Sequence, residues 1–371
     1  MNIPLVDLKW QHQQIKEEVN EGFEEVMSTG AFIMGPPVHQ FENDFAEFCS
    51  VKHCVAVGNG TDALEIAMRA LGIGQDDEVI LPANTFVASA LAVMRCGAKP
   101  VLVDCDDNHL IDVEHCEKKI GQNTKAIMAV DLFGQMPQMG KLEKIASSAG
   151  IVLVEDAAQA QGASHRGRPA GSYGSIAGTS FYPGKNLGAY GDAGAITTDD
   201  GQLANRARRL RNYGSEVKYH HPEVGFNSRL DTLQAVVLGA KLKRLTMWNK
   251  MRQEAADRYF DLLGEAQGIE LPESPSENEH VWHIYAVRVQ HREAVLTALH
   301  KAGVGAGIHY PIPIHLLGAF EFLEHKEGDF PKAESAASEM ISLPMFPGIS
   351  EAQQVEVSRA LVAAVKDSQD S

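Results

Sequence analysis

The stretch Cys54–Leu71, "CVAVGNGTDALEIAMRAL", sets a short apolar run, a Gly-Asn-Gly turn and an amphipathic helical pattern in direct succession. A strand that runs through glycines straight into a helix is the repeating unit of α/β sheets. The glycines let backbone approach a ligand closely, and the helix start offers unpaired N–H groups at the positive end of its dipole. Gly60 and Thr61 therefore suit a phosphate. Thr61 and Asp62 equally suit an N-cap, so a capped turn with no ligand stays open at this point.

The same alternation continues outward. Strands are expected at Cys54–Val57, Glu78–Leu81, Pro100–Asp104, Ala126–Asp131, Ile151–Glu155, Ile176–Phe181 and Gly194–Thr198. Helices are expected between most of them, at Thr61–Leu71, Phe86–Cys96, Asp112–Ile120 and Gln138–Ala149. Seven strands with interposed helices predict an α/β fold with a largely parallel sheet. Its early strands are apolar throughout, as strands covered on both faces are. Two helical patterns precede it, "IKEEVNEGFEEVMSTG" (15–30) and "VHQFENDFAEFCS" (38–50).

Past Gly201 the character changes. A basic helix, "GQLANRARRLRNYG" (201–214), leads into an irregular polar segment ending at Ser228. Residues 230–266 then read as one long helix or two in series, with a domain change near Thr246. The expected division is a large domain over 1–245 and a smaller α+β domain over 246–371. The smaller one should hold a strand at Val281–Val289, a helix at Glu293–Lys301, a proline-rich loop at 311–313 and closing helices.

The 371 residues carry a formal net charge of −16, which argues against nucleic acid or an anionic membrane as a general partner. The arginines of "RARRLR" spread over several helix faces and do not alter that reading. Five cysteines, with no CxxC pair, read as core residues of a reducing compartment and give no expectation of a metal site. The N-terminus lacks an apolar signal region, and no apolar run approaches the ~20 residues of a membrane span. A soluble cytoplasmic protein is expected.

The turn also fits G-x-G-x-x-[GA] through Gly58, Gly60 and Ala63, the start of a dinucleotide fingerprint. That fingerprint wants an acid at the end of the next strand, whereas Asp76, Asp77 and Glu78 precede "EVILP". Two further stretches point elsewhere. "IVLVEDAAQAQGA" (151–163) ends a strand in Glu155-Asp156, where an acid can hold a cationic ligand nitrogen or merely cap a turn. "SFYPGKNLGAYGDAGA" (180–195) carries one lysine, Lys185, among glycines, small residues and aromatics. Desolvation there lowers an amine's pKa, and a neutral amine attacks an aldehyde. Phosphate at Gly60–Thr61, a protonated ring nitrogen beside a strand-end acid and an aldehyde at Lys185 together describe pyridoxal 5'-phosphate (PLP).

The sequence resembles the DegT/DnrJ/EryC1/StrS family of nucleotide-sugar aminotransferases, of PLP fold type I, the aspartate aminotransferase-like class. The resemblance runs from "IPLVDL" through "GAFIMGPPVHQFENDFAEF", "VGNGTDALEIAMRAL", "LPANTFVASALAV", "VEDAAQAQGA" and "SFYPGKNLGAYGDAGAITTDD" to "GFNSRLDTLQAVVL" and "GIHYPIPIH". It implies that Lys185 bonds to the cofactor, Asp156 pairs with the pyridine nitrogen, Gln159 meets the ring hydroxyl and Phe86 stacks on the ring. Gly60, Thr61 and Ser180 would hold the phosphate, and Asn227 would reach the phosphate in the neighbouring subunit of a homodimer with shared active sites. Related dehydratases carry histidine in place of the lysine, so Lys185 favours amino transfer, with the cofactor alternating between PLP and its pyridoxamine form (PMP).

By the same resemblance the amino donor is glutamate and the acceptor a nucleotide-linked keto sugar. The lysine segment is most similar to members that aminate C3 of a dTDP-3-keto-6-deoxyhexose, giving a dTDP-3-amino-3,6-dideoxyhexose. A C4 (4-keto) aminotransferase is the alternative. Tyr182, His309, Tyr310 and His315 are candidate sugar contacts, and Lys218 and Tyr219 of "SEVKYHH" (215–221) candidate diphosphate contacts from the other subunit. His309, Tyr310 and His315 could instead form a hydrogen-bonded loop cluster, and the 218–221 segment a solvated loop. A non-catalytic regulator that keeps fold and cofactor is the alternative of a different class.

Overall fold

The computed structural model describes residues 2–369. Its first nine strands are β1 (His53–Val57), β2 (Glu78–Pro82), β3 (Lys99–Val103), β4 (Thr124–Val130), β5 (Val152–Asp156), the short β6 (Ser164–His165) and β7 (Arg168–Pro169), β8 (Ile176–Ser180) and β9 (Gly194–Thr198). Seven of them form one sheet in the order β1-β9-β8-β5-β4-β2-β3. Pairing is parallel from β3 through β8, and β9 runs antiparallel to both neighbours. The middles of these strands are apolar or small-residue runs, and charged residues stand at or near their ends, as with Glu78, Lys99, Lys125 and the Glu155-Asp156 pair.

The carboxyl ends of β2, β4, β5 and β8 open on one edge of the sheet. In parallel sheets that edge gathers ligand-binding side chains. Helices α1 (Leu8–Thr29), α2 (Pro36–Phe48), α3 (Gly60–Leu71), α4 (Val87–Arg95), α5 (Val113–Lys118), α6 (Met139–Ala149) and α7 (Gly201–Arg211) surround the sheet. On one face Leu64 and Met68 of α3 pack with Val55, Val79 and Val154, and on the other Leu142 of α6 packs with Ile80 and Ile127. Three of the four arginines of α7 are paired with acids of the same chain, and Arg208 bonds to Asn205. Arg206 and Arg209 pair with Glu223, Arg209 also with Glu216, and buried Arg211 with Glu42.

α8 (Thr232–Leu263) is one unbroken helix of 32 residues, which settles the choice between one helix and two. Its first half packs Leu238 and Leu245 with Phe41, Phe45, Phe181 and Leu187. Its second half packs Ala255, Tyr259 and Leu263 into a separate core with Tyr285, Val287, Val357 and Leu361. That core surrounds an antiparallel sheet of β10 (Ile269–Glu270), β12 (Tyr285–Val289) and β13 (Met340–Leu343), with α9 (Arg292–Lys301), α10 (Pro331–Glu339) and α11 (Glu351–Gln369). The strand β11 (Asn278–Glu279) instead pairs with β6.

The expected strand Val281–Val289 begins only at Tyr285. Trp282 adopts a left-handed φ of 47°, and Val281 N–H bonds to Gly134 O, so residues 281–284 leave the extended path. The N-terminal segment reaches the C-terminal part of the chain. Ile3 bridges to Val304 and sits in the C-terminal core. No helix among the described residues is long and apolar enough to cross a membrane.

Candidate active site

A cavity of about 570 Å³ opens at the carboxyl edge of the large sheet, bounded on the far side by residues 283–284, 309–310 and 342–345. Ten of the expected site residues line it: Gly60, Thr61, Phe86, Asp156, Gln159, Ser180, Tyr182, Lys185, His309 and Tyr310.

Lys185 sits in the loop between β8 and β9. Its N–H bonds to Tyr182 O at 2.8 Å, and Ala189 N–H bonds to Phe181 O at 2.8 Å, closing the loop on itself. Phe181 anchors that loop, packing edge-on against Phe41 and Phe45. Gly188 is required there, since a Cβ would lie 2.3 Å from Pro183 O. Its carbonyl accepts a hydrogen bond from buried Lys241 Nζ at 2.6 Å. Among the described residues, Lys185 Nζ makes no hydrogen bond. Burial lowers its pKa to about 8, against the opposing pull of Asp156.

Asp156 ends β5. Its Oδ2 accepts from Ser89 Oγ at 2.7 Å and its Oδ1 from Ala158 N–H at 3.2 Å. Burial pushes the carboxyl upward, while Ser89, the Ala158 N–H and Lys185 pull it back. Its neighbour Glu155 points to the opposite face, where its oxygens accept from the Gly171 and Tyr173 N–H groups. The strand's alternation thus resolves which of the two acids serves the cavity.

At the other end, Asn59 caps α3, its side chain accepting from Asp62 N–H at 2.9 Å. The N–H groups of Gly60 and Thr61 precede any intrahelical partner and are left to a ligand. A Cβ on Gly60 would lie 2.5 Å from Ser180 Cβ, so glycine brings the helix start against the Ser180 hydroxyl. Phe86 stands 5.1 Å from Tyr310, ring centre to ring centre, with 47% of its surface exposed at the cavity. Gln159 Nε2 donates to Tyr310 Oη at 3.1 Å, and its Oε1 accepts from Phe133 N–H at 2.7 Å. His309 bonds to Ser342 Oγ at 2.8 Å, and burial lowers its pKa to about 4.

Four expected residues stand outside the cavity of this chain. Asn227 is exposed and accepts from Arg229 Nη2 at 2.6 Å. Lys218 and Tyr219 are exposed, the amine 5.0 Å above the Tyr219 ring. His315 lies outside the cavity, its Nε2 2.9 Å from Glu334 and its buried ring packed against Phe330. The supposed cluster of His309, Tyr310 and His315 resolves into three separate ties.

Sequence reasoning missed Ser89, His283, Asp192 and the N-terminal pair Leu5 and Val6. Ser89 was legible in principle, at helical spacing from Phe86 in "TFVASALAV". The others carry no local signal.

The residues fit pyridoxal phosphate. A Cβ-free helix start beside a hydroxyl suits its phosphate, a buried carboxylate suits its pyridinium, and an uncommitted amine suits its aldehyde. An amine of lowered basicity and a strand-end acid facing one cavity are what a pyridoxal-phosphate-dependent aminotransferase requires, and that is the class defined here. The sequence matches the DegT/DnrJ/EryC1/StrS aminotransferase family over residues 13–362, and the chain belongs to that family.

Curated relatives match nearly end to end. A dTDP-3-amino-3,4,6-trideoxy-alpha-D-glucose transaminase of Streptomyces venezuelae is 42% identical over 360 residues, 97% of this chain and 95% of the relative. A pleiotropic regulatory protein of Geobacillus stearothermophilus is 44% identical over 357 residues, 95% and 96% of the two chains. Among solved structures, S. venezuelae DesV in complex with a ketimine intermediate superposes with a TM-score of 0.96 at 41% identity, covering 98% of this chain and 99% of that one.

Proposed function

We propose that the enzyme transfers an amino group from glutamate to C3 of a dTDP-linked 3-keto-6-deoxyhexose, giving the dTDP-3-amino-3,6-dideoxyhexose. The observation that carries amino transfer is Lys185, with its pKa near 8, sharing one cavity with buried Asp156. The S. venezuelae relative, named for a dTDP-3-amino sugar, supports the position and the nucleotide.

Bound pyridoxal phosphate would supply an aldehyde to carry the amino group and a ring to take up electrons when a proton leaves. Asp156 would keep a proton on the ring nitrogen through a carboxylate steadied by Ser89. Gly60, Thr61 and Ser180 hold the phosphate, and Phe86 offers a flat apolar face to the ring. Once the donor's amino group has displaced it from the aldehyde carbon, the freed Lys185 Nζ would remove the donor's α-proton. In the second half reaction it would move a proton from the amino-bearing cofactor carbon to the sugar carbon. Tyr182, His309 and Tyr310 stand where the sugar enters.

Among the described residues the cavity lining contains one lysine and no arginine, too little positive charge for a cofactor phosphate together with either two donor carboxylates or a diphosphate. We assign the missing contacts to a second copy. Asn227 would serve the phosphate of the partner's cofactor, and Lys218 and Tyr219 the diphosphate. All three are exposed and clear of their own cavity.

The test is direct. Cofactor-loaded protein is given glutamate, then dTDP-3-keto, dTDP-4-keto and UDP-3-keto hexoses in turn, and the aminated carbon is read by NMR. Amination at C3 of the dTDP sugar is expected. Amination at C4 overturns the regiochemistry, and a loaded protein inert to glutamate and every other amino donor favours a regulator.

A further inference from the structure

His283 lines the cavity that holds Lys185 but has no part in the chemistry above. It reaches the cavity because the chain breaks before β12. The left-handed Trp282 stacks on His280 with ring centres 3.8 Å apart, and its N–H bonds to His280 Nδ1 at 2.9 Å. The residue that follows is thereby taken out of strand alternation.

Neighbouring groups fix its tautomer. His283 Nδ1 lies 3.1 Å from Asn186 Oδ1. The amide of Asn186 has one orientation, because its Nδ2 donates to Asn249 Oδ1 and to Val281 O, each at 3.0 Å. Asn249 is oriented in turn by donating to Gln161 O at 2.9 Å. Asn186 Oδ1 can therefore only accept, and the imidazole hydrogen belongs on Nδ1. Nε2 keeps a bare lone pair. It has no hydrogen-bond partner among the described residues, yet it is not one of the sealed unpaired atoms of the interior, so its open side is the cavity. Burial first, then the charges of Lys185 and Arg252, hold the ring neutral.

A neutral ring nitrogen attracts hydrogen-bond donors and repels groups that only accept. The carboxylates of glutamate and the phosphates of a nucleotide only accept, and the one donor of glutamate, its amino group, is committed to the cofactor. Hexose hydroxyls donate. Lys185 Nζ is also a donor, but it makes no hydrogen bond to this ring. We propose that His283 Nε2 accepts a hydrogen bond from a hydroxyl of the sugar and is a specificity-determining contact of the sugar half reaction. This rests on the reading of the enzyme as a sugar aminotransferase. A buried acceptor left unpaired penalises a substrate that lacks the matching hydroxyl more than shape alone does.

The experiment compares holoenzyme carrying His283→Phe, which keeps a ring and removes the acceptor, with His283→Gln, which restores one. Each half reaction is followed separately by stopped-flow absorbance. For His283→Phe, kcat/KM of the sugar half should fall about 10- to 100-fold while the glutamate half moves less than about threefold. His283→Gln should recover most of the loss. Equal losses in both halves would put His283 on Lys185 instead and overturn the proposal, as would no loss in either. In ¹⁵N-histidine NMR of the protein, this ring should show a protonated Nδ1 and a bare Nε2 that shifts when sugar nucleotide is added. Failure of the underlying activity appears in wild-type enzyme, which would convert no hexose nucleotide. An Nε2 signal unmoved by sugar nucleotides overturns the contact even then.

Discussion

Lys185 shows how a residue's chemistry follows from the company its loop keeps. An ordinary lysine near pKa 10.5 is almost wholly protonated at neutral pH and a poor nucleophile, whereas at about 8 roughly one amine in ten is free at pH 7. Because the shift is downward, the reactive fraction grows with pH and saturates above the folded value. Capture of free pyridoxal by protein without cofactor should therefore accelerate about tenfold per pH unit up to pH 8 and level off above it. A rate still climbing tenfold per unit at pH 10 would contradict the environment assigned to this amine. The lysine, Asp156 and the Gly60–Thr61 turn were legible in the sequence because strand ends and glycine turns write chemistry locally. His283 was not, since "VWHIYAVRV" reads as an unbroken strand until Trp282 turns left-handed. Nor could His309 be told from His315. They lie six residues apart in one proline-rich loop, and only packing decides that the first faces the cavity and the second faces Glu334.

At the scale of elements, β4 and β5 carry a device on the face away from the cavity. Asp131 follows β4 and is fully buried, neither carboxyl oxygen receiving a donor. Burial and the adjacent Glu155 keep it protonated well above the ordinary range, which makes it the carboxyl of the two with a hydrogen to share, and burial pushes Glu155 itself up to about 6. Both folded values exceed the unfolded ones, so the folded state binds more protons at mildly acidic pH. The pair's contribution to stability is full below the ordinary carboxylate range and declines as pH rises through 6. Asp131→Asn, which keeps a donor for Glu155, should flatten that decline between about pH 4.5 and 7, read from urea midpoints at several pH values. An unchanged slope would show that the two carboxyls do not share a proton. The alternation that turns Glu155 toward this pair also leaves Asp156 for the cavity, a choice the sequence left open. Helix and strand positions of the large sheet were readable because each element repeats its pattern over several residues. The two-residue strands β6, β7 and β11 were not, since their pairing is set by distant partners.

For the whole molecule, the proposal is of a site that a second copy completes. Large apolar side chains stand exposed, among them Phe32 and Ile33 at 49%, Tyr219 at 81% and Val224 at 92%, as a surface meant for a second copy would have them. If Asn227 serves the partner's cofactor, two separately inactive variants should rescue one another. Mixed, refolded Lys185→Ala and Asn227→Ala chains should regain about a quarter of wild-type activity, since half the dimers are mixed and each has one intact site. No rescue, with mixed dimers demonstrated by mass, would confine each site to its own chain. The proposed role of Asn227 comes from family resemblance alone, because a residue that acts across an interface leaves no mark in the pattern of its own chain.

The central claim is the bond between the Lys185 amine and the cofactor aldehyde, and borohydride reduction of cofactor-loaded protein followed by peptide mapping tests it most directly. The account predicts a single label, on Lys185 within residues 180–195. A label on Lys241, whose buried amine also has a pKa near 8, or no label at all, would contradict it.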